Sequence, residues 1–274
     1  RIFLKKNNLA ALIIHDLYPD ILLHFKFIKN NGLIYKLISL IYKLAYTQYD
    51  LLFPCSDSIK ERLIKFYNIK KEKINCIYCW SLIPEKMLSE FNNFNPNKKE
   101  TQNPDLIILG NIGILHLEDY LVKFLKNLLN KKNTPKLQLY IRGSKSSHFL
   151  NQIKNLNNVF TNELLPVDKI ITAFNNPSLT IVSLNYESSL CAFPSRITTA
   201  LSVGSPIIFI TDKIQGNPIA DFISNNKIGE TIEEVNKKVK CIEVYEKISL
   251  DFNRYRENSL ICYKKYFAIR KNLL

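Results

Sequence analysis

The stretch "FPSRITTALSVGSPIIFI", Phe193 to Ile210, sets a proline, a serine and an arginine ahead of a short apolar helix pattern, then Gly-Ser-Pro, then a run of apolar residues. Proline and serine are residue types that start helices. Ser195, Arg196 and the first-turn amides would therefore combine side-chain donors, a fixed positive charge and the positive end of a helix dipole, which is what holding a diphosphate requires. The plainer alternative is a capped helix with a solvated arginine.

Three further stretches carry candidates. "GNIG", Gly110 to Gly113, places amides between an apolar run and a helix pattern, either as a cradle for a phosphate or reacting sugar or as a tight turn. It lacks the third glycine of a dinucleotide fingerprint. "IRGSKSS" sets Arg142 at the end of another apolar run, as a diphosphate contact or a surface charge. In "IIHDLYPD", His15 ends an apolar run beside Asp16, placed to contact a sugar or stabilise a leaving group, or to form a structural hydrogen-bond pair.

The six cysteines stand at 55, 76, 79, 191, 241 and 262, and only Cys76 and Cys79 are close in sequence. "KINCIYCW" alternates like a buried strand, there is no second CxxC, and the histidines at 15, 24, 116 and 148 are scattered, so buried reduced thiols in a cytoplasmic chain are expected and no metal. The net charge of +14 is spread along the chain. Without lysines gathered among interleaved aromatics it does not point to nucleic acid. "GLIYKLISLIYKLAY", Gly32 to Tyr46, is too short to span a bilayer and sets Lys36 and Lys43 on one side of an apolar helix. Such a helix can lie against an anionic membrane surface or pack in the core with its lysines snorkelling, and core packing is the preferred expectation.

The elements that must position these residues alternate between strand-like and helix-like runs, the pattern of an α/β fold with a mainly parallel sheet. Residues 1–84 read as the closing part of one Rossmann-like domain, with strands at "LAALIIHD", "DLLFPCS" and "INCIYCW", a helix from Asn31 to Tyr49, and another opened by a capping box at Ser58 and Glu61. Roughly a hundred further residues would complete such a domain. Residues 85–104, rich in Asn, Lys, Glu and Pro, read as a linker, 105–232 as a complete doubly wound domain, and 233–274 as Lys- and Tyr-rich helices.

In order along residues 9 to 231, four stretches resemble the GT-B glycosyltransferases, in particular the PSK-type branch of the family 4-like enzymes of bacterial surface polysaccharide synthesis. They are "HDLYPD", "DLLFPCSDSIKERLIKFYNIKKEKINCIYCW", "LIILGNIGILHLEDYLV" and "FPSRITTALSVGSPIIFI". The resemblance implies two Rossmann-like domains facing a cleft, a nucleotide-sugar donor on the second, a glycan or lipid-linked acceptor, and tail helices returning to the first domain. It implies no cofactor or metal, retention of anomeric configuration, and a place at the inner face of the cytoplasmic membrane. By motif match, Gly110, Asn111 and Gly113 would lie near the sugar or diphosphate, Ser195 and Arg196 on the diphosphate, Thr199 at the donor where many relatives have a carboxylate, and His15 facing the donor sugar.

The departures are specific. Many relatives carry two glutamates that would fall on Cys191 and Thr199, and Glu187 has the wrong spacing to replace the first. Charge neutralisation is left to Arg196 with Arg142. A GT-B module that binds a nucleotide-sugar or partner without turnover is therefore the alternative. A sugar-nucleotide epimerase of the same fold is a lesser one, since it would need acid/base carboxylates.

Overall fold

The computed structural model describes residues 9–25, 32–92, 104–130 and 134–268. The chain forms two compact units, one comprising residues up to Cys79 with Glu187–Phe193, the other Trp80–Tyr186 with the chain from Pro194 onward. Most of the segment expected as a linker, residues 93–103, lies outside the described residues; a helix, Glu85–Asn92, precedes it.

In the first unit, β1 (Ala11–Ile14) pairs in parallel with β2 (Leu51–Pro54), Ile14 opposite Pro54. The crossover between them contains α1 (Asp20–His24) and α2 (Leu33–Thr47). α3 (Asp57–Tyr67) follows β2. Its cap is Ser56, whose Oγ accepts from Ile59 N at 3.3 Å, and the expected cap Ser58 instead bonds Ser56 Oγ at 2.9 Å. Ser56 alone of the two precedes the helix with the extended backbone an N-cap requires, φ −157° and ψ 158°.

"INCIYCW" does not form the expected strand. Ile74 bridges Leu52, and the amides of Asn75 and Ile77 donate to Leu52 O and Pro54 O at 3.0 and 2.9 Å. The return bond from residue 54 would need an N–H that proline lacks, so the segment follows β2 without completing a ladder. A buried carboxylate fixes the other end of this unit. Asp20, 2% exposed, accepts from Arg62 Nη2 at 2.5 Å and from the Tyr67 hydroxyl.

α2 overturns the expectation of core packing. Leu33, Ile34, Leu37, Leu40, Ile41 and Leu44 are all more than half exposed, and Tyr46 is the buried residue of the helix. Lys36 and Lys43 line a cavity of about 760 Å³ with Asp20, His24, Arg62 and Glu187. The Leu and Ile side chains thus point outward, where an ordinary surface helix places polar residues, and the exposed Lys36 and half-buried Lys43 flank them.

The second unit follows α4 (Glu85–Asn92) with a parallel sheet of six strands: β3 (Asp105–Asn111), β4 (Leu137–Arg142), β5 (Val159–Thr161), β6 (Ser178–Ser183), β7 (Ile207–Ile210) and β8 (Gly229–Ile232). Their spatial order is β5-β4-β3-β6-β7-β8. Every residue of β6 and β7 is buried, as expected of central parallel strands covered on both faces, whereas edge strand β5 leaves Phe160 half exposed.

The connecting helices are α5 (Glu118–Leu129), α6 (Ser146–Ile153), α7 (Tyr186–Ser189), α8 (Ser195–Ser202) and α9 (Pro218–Asn226), and the segment Val167–Phe174 forms 3-10 turns. α5 inserts Leu121, Phe124, Leu125 and Leu128 into a core shared with Phe149 of α6 and Ile108 of β3. A fully buried Phe of this kind contributes about 1.5–3 kcal/mol. The tail helices α10 (Lys238–Leu250) and α11 (Phe252–Tyr266) group with this unit, α10 packing on α5 and β8 and α11 on α8 and α9.

Candidate functional site

Reading the second unit's strands in chain order, the first lies between the second and the fourth, so the direction of winding reverses between β3 and β6. In an open parallel sheet, ligands bind beyond the carboxyl ends of the strands at that reversal. "GNIG" occupies this place. Gly110, next to last in β3, has φ +89°, a conformation other residues adopt only with strain, and the following loop is fastened on several sides. Ile112 N donates to Arg142 O at 2.7 Å, Lys145 N donates to Ile112 O at 3.1 Å, and Asn185 N donates to Leu115 O at 3.1 Å. Ser183, the last residue of β6, donates its hydroxyl to His116 O at 2.6 Å.

Arg196 reaches this loop from the first turn of α8, its Nη2 donating to Asn111 O at 2.8 Å. A guanidinium carries more N–H donors than this one bond uses, in a fork that matches phosphate. Burial lowers its pKa to about 10, which leaves it charged at neutral pH. Ser195 is the exposed first residue of α8; the N-cap position belongs to Pro194, and no side chain caps the first-turn amides. The sequence-expected residues Gly110, Asn111, Gly113, Ser195 and Arg196 are thus brought to the two loops at one end of this sheet. Arg142 joins them as the residue paired with Asn111, its side chain exposed.

Thr199 takes another role. It is 1% exposed, and its hydroxyl donates to Ser195 O at 3.1 Å and accepts from Leu82 N at 3.4 Å, so it fastens the base of α8 rather than facing the loop. Cys191, the other position where relatives carry a glutamate, is fully buried in the first unit, its thiol pushed up to about 12 by burial.

One residue of the loop was not anticipated. His116 Nδ1 accepts from Gly113 N at 3.1 Å. Burial, and then the nearby Arg196 charge, hold its pKa down to about 3, so the imidazole is neutral and acts as an acceptor. His116 therefore adds no positive charge to the loop, which Arg196 bonds directly and Arg142 and Lys145 flank.

His15 lies in the first unit, exposed, just beyond β1. Its Nδ1 stands 3.3 Å from Cys79 Sγ and 3.4 Å from Cys55 Sγ. The hydrogen bond from Cys55, followed by that from His15, draws the Cys79 pKa down, while the same bond and burial push Cys55 up. Among the described residues, this trio is the group whose ligand atoms lie close enough to hold a metal ion.

No family model matches the chain. It is similar to the chitobiosyldiphosphodolichol beta-mannosyltransferase of Candida albicans, 24% identical over an alignment 229 residues long that covers 77% of this chain and 50% of that protein. The fold is similar to that of a glycosyltransferase from Rickettsia africae, with TM-score 0.63 and 18% identity, covering 96% of this chain and 68% of the other. It is also similar to Staphylococcus aureus TarM solved with UDP, fondaparinux and α-GlcNAc-glycerol, with TM-score 0.64 and 18% identity, covering 98% of this chain and 50% of TarM. The fold is GT-B. The chain spans about half the length of the curated relative it matches.

Within the GT-B fold, local signals found the glycine loop and the start of α8, because both are short sequence patterns at element ends. His116 as a loop clamp and the His15–Cys55–Cys79 trio were missed. The first had a faint signal in its spacing of three residues from Gly113. The second had none, since its members lie 40 and 64 residues from His15 in sequence.

Proposed function

We propose that this chain is part of a glycosyltransferase that moves a sugar from a nucleotide-sugar to a glycan or lipid-linked acceptor. The observation that carries this reading is the Arg196 guanidinium set across the GNIG loop at the winding reversal of a GT-B donor-type sheet. Arg196, with Arg142, would bind the donor's diphosphate and offset the charge that develops on it as the glycosidic bond breaks. Gly110, Asn111, Gly113 and Ser195 would line the sugar and diphosphate, and His15 would face the donor sugar, as their motif matches imply. No step in this scheme calls for a metal, and retention of configuration is the expected stereochemistry.

A lipid-linked acceptor draws support from α2, whose exposed Leu and Ile side chains form a face suited to a bilayer interface, with Lys36 and Lys43 beside the Arg62 cavity for anionic headgroups. The fungal relative's name describes a lipid diphosphate carrying chitobiose as acceptor. A place in surface polysaccharide synthesis at the inner face of the membrane fits the same reading. The second reading, a donor-binding module without turnover, is favoured by one observation: the two positions expected to carry glutamate are a buried cysteine and a buried, bonded threonine.

The test is binding and turnover with a panel of nucleotide-sugars. Each hydrogen bond from a charged group is worth about 1.5–3 kcal/mol, so Arg196→Ala should weaken binding of the preferred donor about 10- to 150-fold. Arg196→Lys should recover only part of it, because the fork is lost. Unchanged donor affinity in Arg196→Ala would remove the site assignment, and donor binding without transfer to any acceptor would favour the second reading. The anomeric configuration of the product, read by NMR, decides between retention and inversion.

A further inference from the structure

We propose that His15, Cys55 and Cys79 form a binding site for a thiophilic divalent cation, zinc in the first instance. The site follows from the register of the first unit. β1 and β2 run parallel with Ile14 opposite Pro54, so the residues just beyond them, His15 and Cys55, emerge side by side, held by the Cys55 N to Ile14 O bond of 3.0 Å. The segment after α3 follows β2 through the Ile77 N to Pro54 O bond of 2.9 Å, in a register that sets Ile77 opposite Cys55, and Cys79, two residues further on, places its thiol 3.3 Å from His15 Nδ1. Three adjacent backbone segments thus each present one ligand, and backbone hydrogen bonds fix the spacing between them.

The distances fit the ion. With Zn–S near 2.3 Å and Zn–N near 2.0–2.1 Å, a tetrahedral site has ligand-to-ligand edges of about 3.5–3.8 Å. The two imidazole-to-sulfur separations are 3.3 and 3.4 Å, and all three ligand atoms lie within 4.8 Å of one another. A cation entering the trio therefore needs shifts of a few tenths of an ångström in the two imidazole-to-sulfur separations and of no more than about 1 Å between the sulfurs. Two sulfurs and one imidazole nitrogen select zinc and its soft neighbours over magnesium or calcium, which take oxygen ligands. Cys55 and Cys79 are buried and His15 is exposed, so the trio is reached by solvent on the imidazole side, from which a water could complete the tetrahedron. Binding would release the thiol protons and hold the ring through Nδ1, leaving Nε2 as its remaining polar atom, with its proton. The site needs only these three side chains; it shares His15 with the sugar-transfer reading, and its test reads metal binding alone, whichever way that reading falls.

The experiment uses the full chain, reduced, stripped with chelator and titrated with Co²⁺ and then Zn²⁺. One equivalent of cobalt should produce a sulfur-to-metal charge-transfer band with the visible bands of tetrahedral cobalt, and zinc should bleach both. Cys79→Ser should lower zinc affinity more than a hundredfold in chelator competition, since losing a group that merely orients a ligand already costs about 10–100-fold. His15→Gln, at an exposed position that does not threaten folding, should weaken zinc binding and shift the cobalt bands. Cys76→Ser should change neither. The proposal is overturned by the absence of a charge-transfer band at saturating cobalt, by a band that survives Cys79→Ser, by one that disappears in Cys76→Ser, or by a Cys55–Cys79 disulfide in the freshly reduced protein.

Discussion

Two glycines at one end of the sheet separate the two reasons a glycine can be required, and substituting alanine at each measures both. Gly110 and Gly143 have φ of +89° and +115°, so Ala at either meets a backbone strain of about 1–3 kcal/mol. Their surroundings differ. A Cβ on Gly110 meets nothing within 4 Å, whereas one on Gly143 would lie 1.8 Å from Asn111 Oδ1 and 2.6 Å from Ile112 O. The second contact is backbone, so the β4 turn and the GNIG loop must move apart, an overpacking cost of about 1–3 kcal/mol. Gly110→Ala should therefore destabilise by about 1–3 kcal/mol and Gly143→Ala by about 2–6 kcal/mol. The assay is urea unfolding at constant m, with donor binding measured on the folded variants. Gly143→Ala should also weaken donor binding by displacing Asn111, the residue whose carbonyl Arg196 grips. If Gly143→Ala proves no more destabilising than Gly110→Ala, the close packing of the two loops, and the site geometry built on it, is wrong.

Thr199→Val should cost about 1–3 kcal/mol of stability, by leaving Leu82 N without its acceptor, and should leave donor affinity unchanged, as equilibrium unfolding and donor titration will show. His116 is depressed in the fold to about 3, below its unfolded value near 6.5, so the unfolded chain takes up the proton first. Stability contributed by the neutral ring is intact above that unfolded value and declines as pH falls from about 6.5 toward 3; His116→Gln should flatten this part of the urea-midpoint profile against pH. Anionic vesicles should retain the protein in flotation, and Leu37→Glu with Leu44→Glu should abolish retention, each lost Leu contact being worth about 1.5–3 kcal/mol. Retention unchanged in the double variant would exclude α2 as the contact.

The second unit was legible because its strands are short apolar runs between helical repeats, and the parallel order follows from that alternation. The departures each have a local cause. "INCIYCW" has the alternation of a strand, but the proline opposite it removes the donor that would complete the ladder, a fact about its partner and not about itself. In α2 the period was right and the environment wrong. An apolar stripe with lysines seven apart has the same pattern whether protein or another medium covers it, and only the position of Asp20 and Arg62 shows that the lysines turn toward a charged cavity.

The candidate site divides in the same way. Arg196 and GNIG were found because helix starts and glycine turns are written in adjacent residues, and such signals survive without knowledge of the rest of the chain. Thr199 illustrates the limit: its type fits a polar site, but one turn into α8 its hydroxyl bonds back to Ser195 O, an option that helical geometry offers to any threonine. The Cys55–Cys79–His15 trio lies beyond that limit altogether. "CIYC" drew attention to Cys76 with Cys79, neighbours in sequence, yet alternation sends the two side chains of an extended segment at odd spacing to opposite faces. Cys79 therefore had to find its partners on other segments. The β1–β2 register supplies them, and the sequence holds that register only as two apolar runs ending in His15 and Cys55. Pairing those runs in parallel, ends together, is the step of strand reasoning that brings His15 beside Cys55; the third segment's register sets Ile77 opposite Cys55, so Cys79 joins them only through the path of the chain beyond the strands, which no strand pattern encodes.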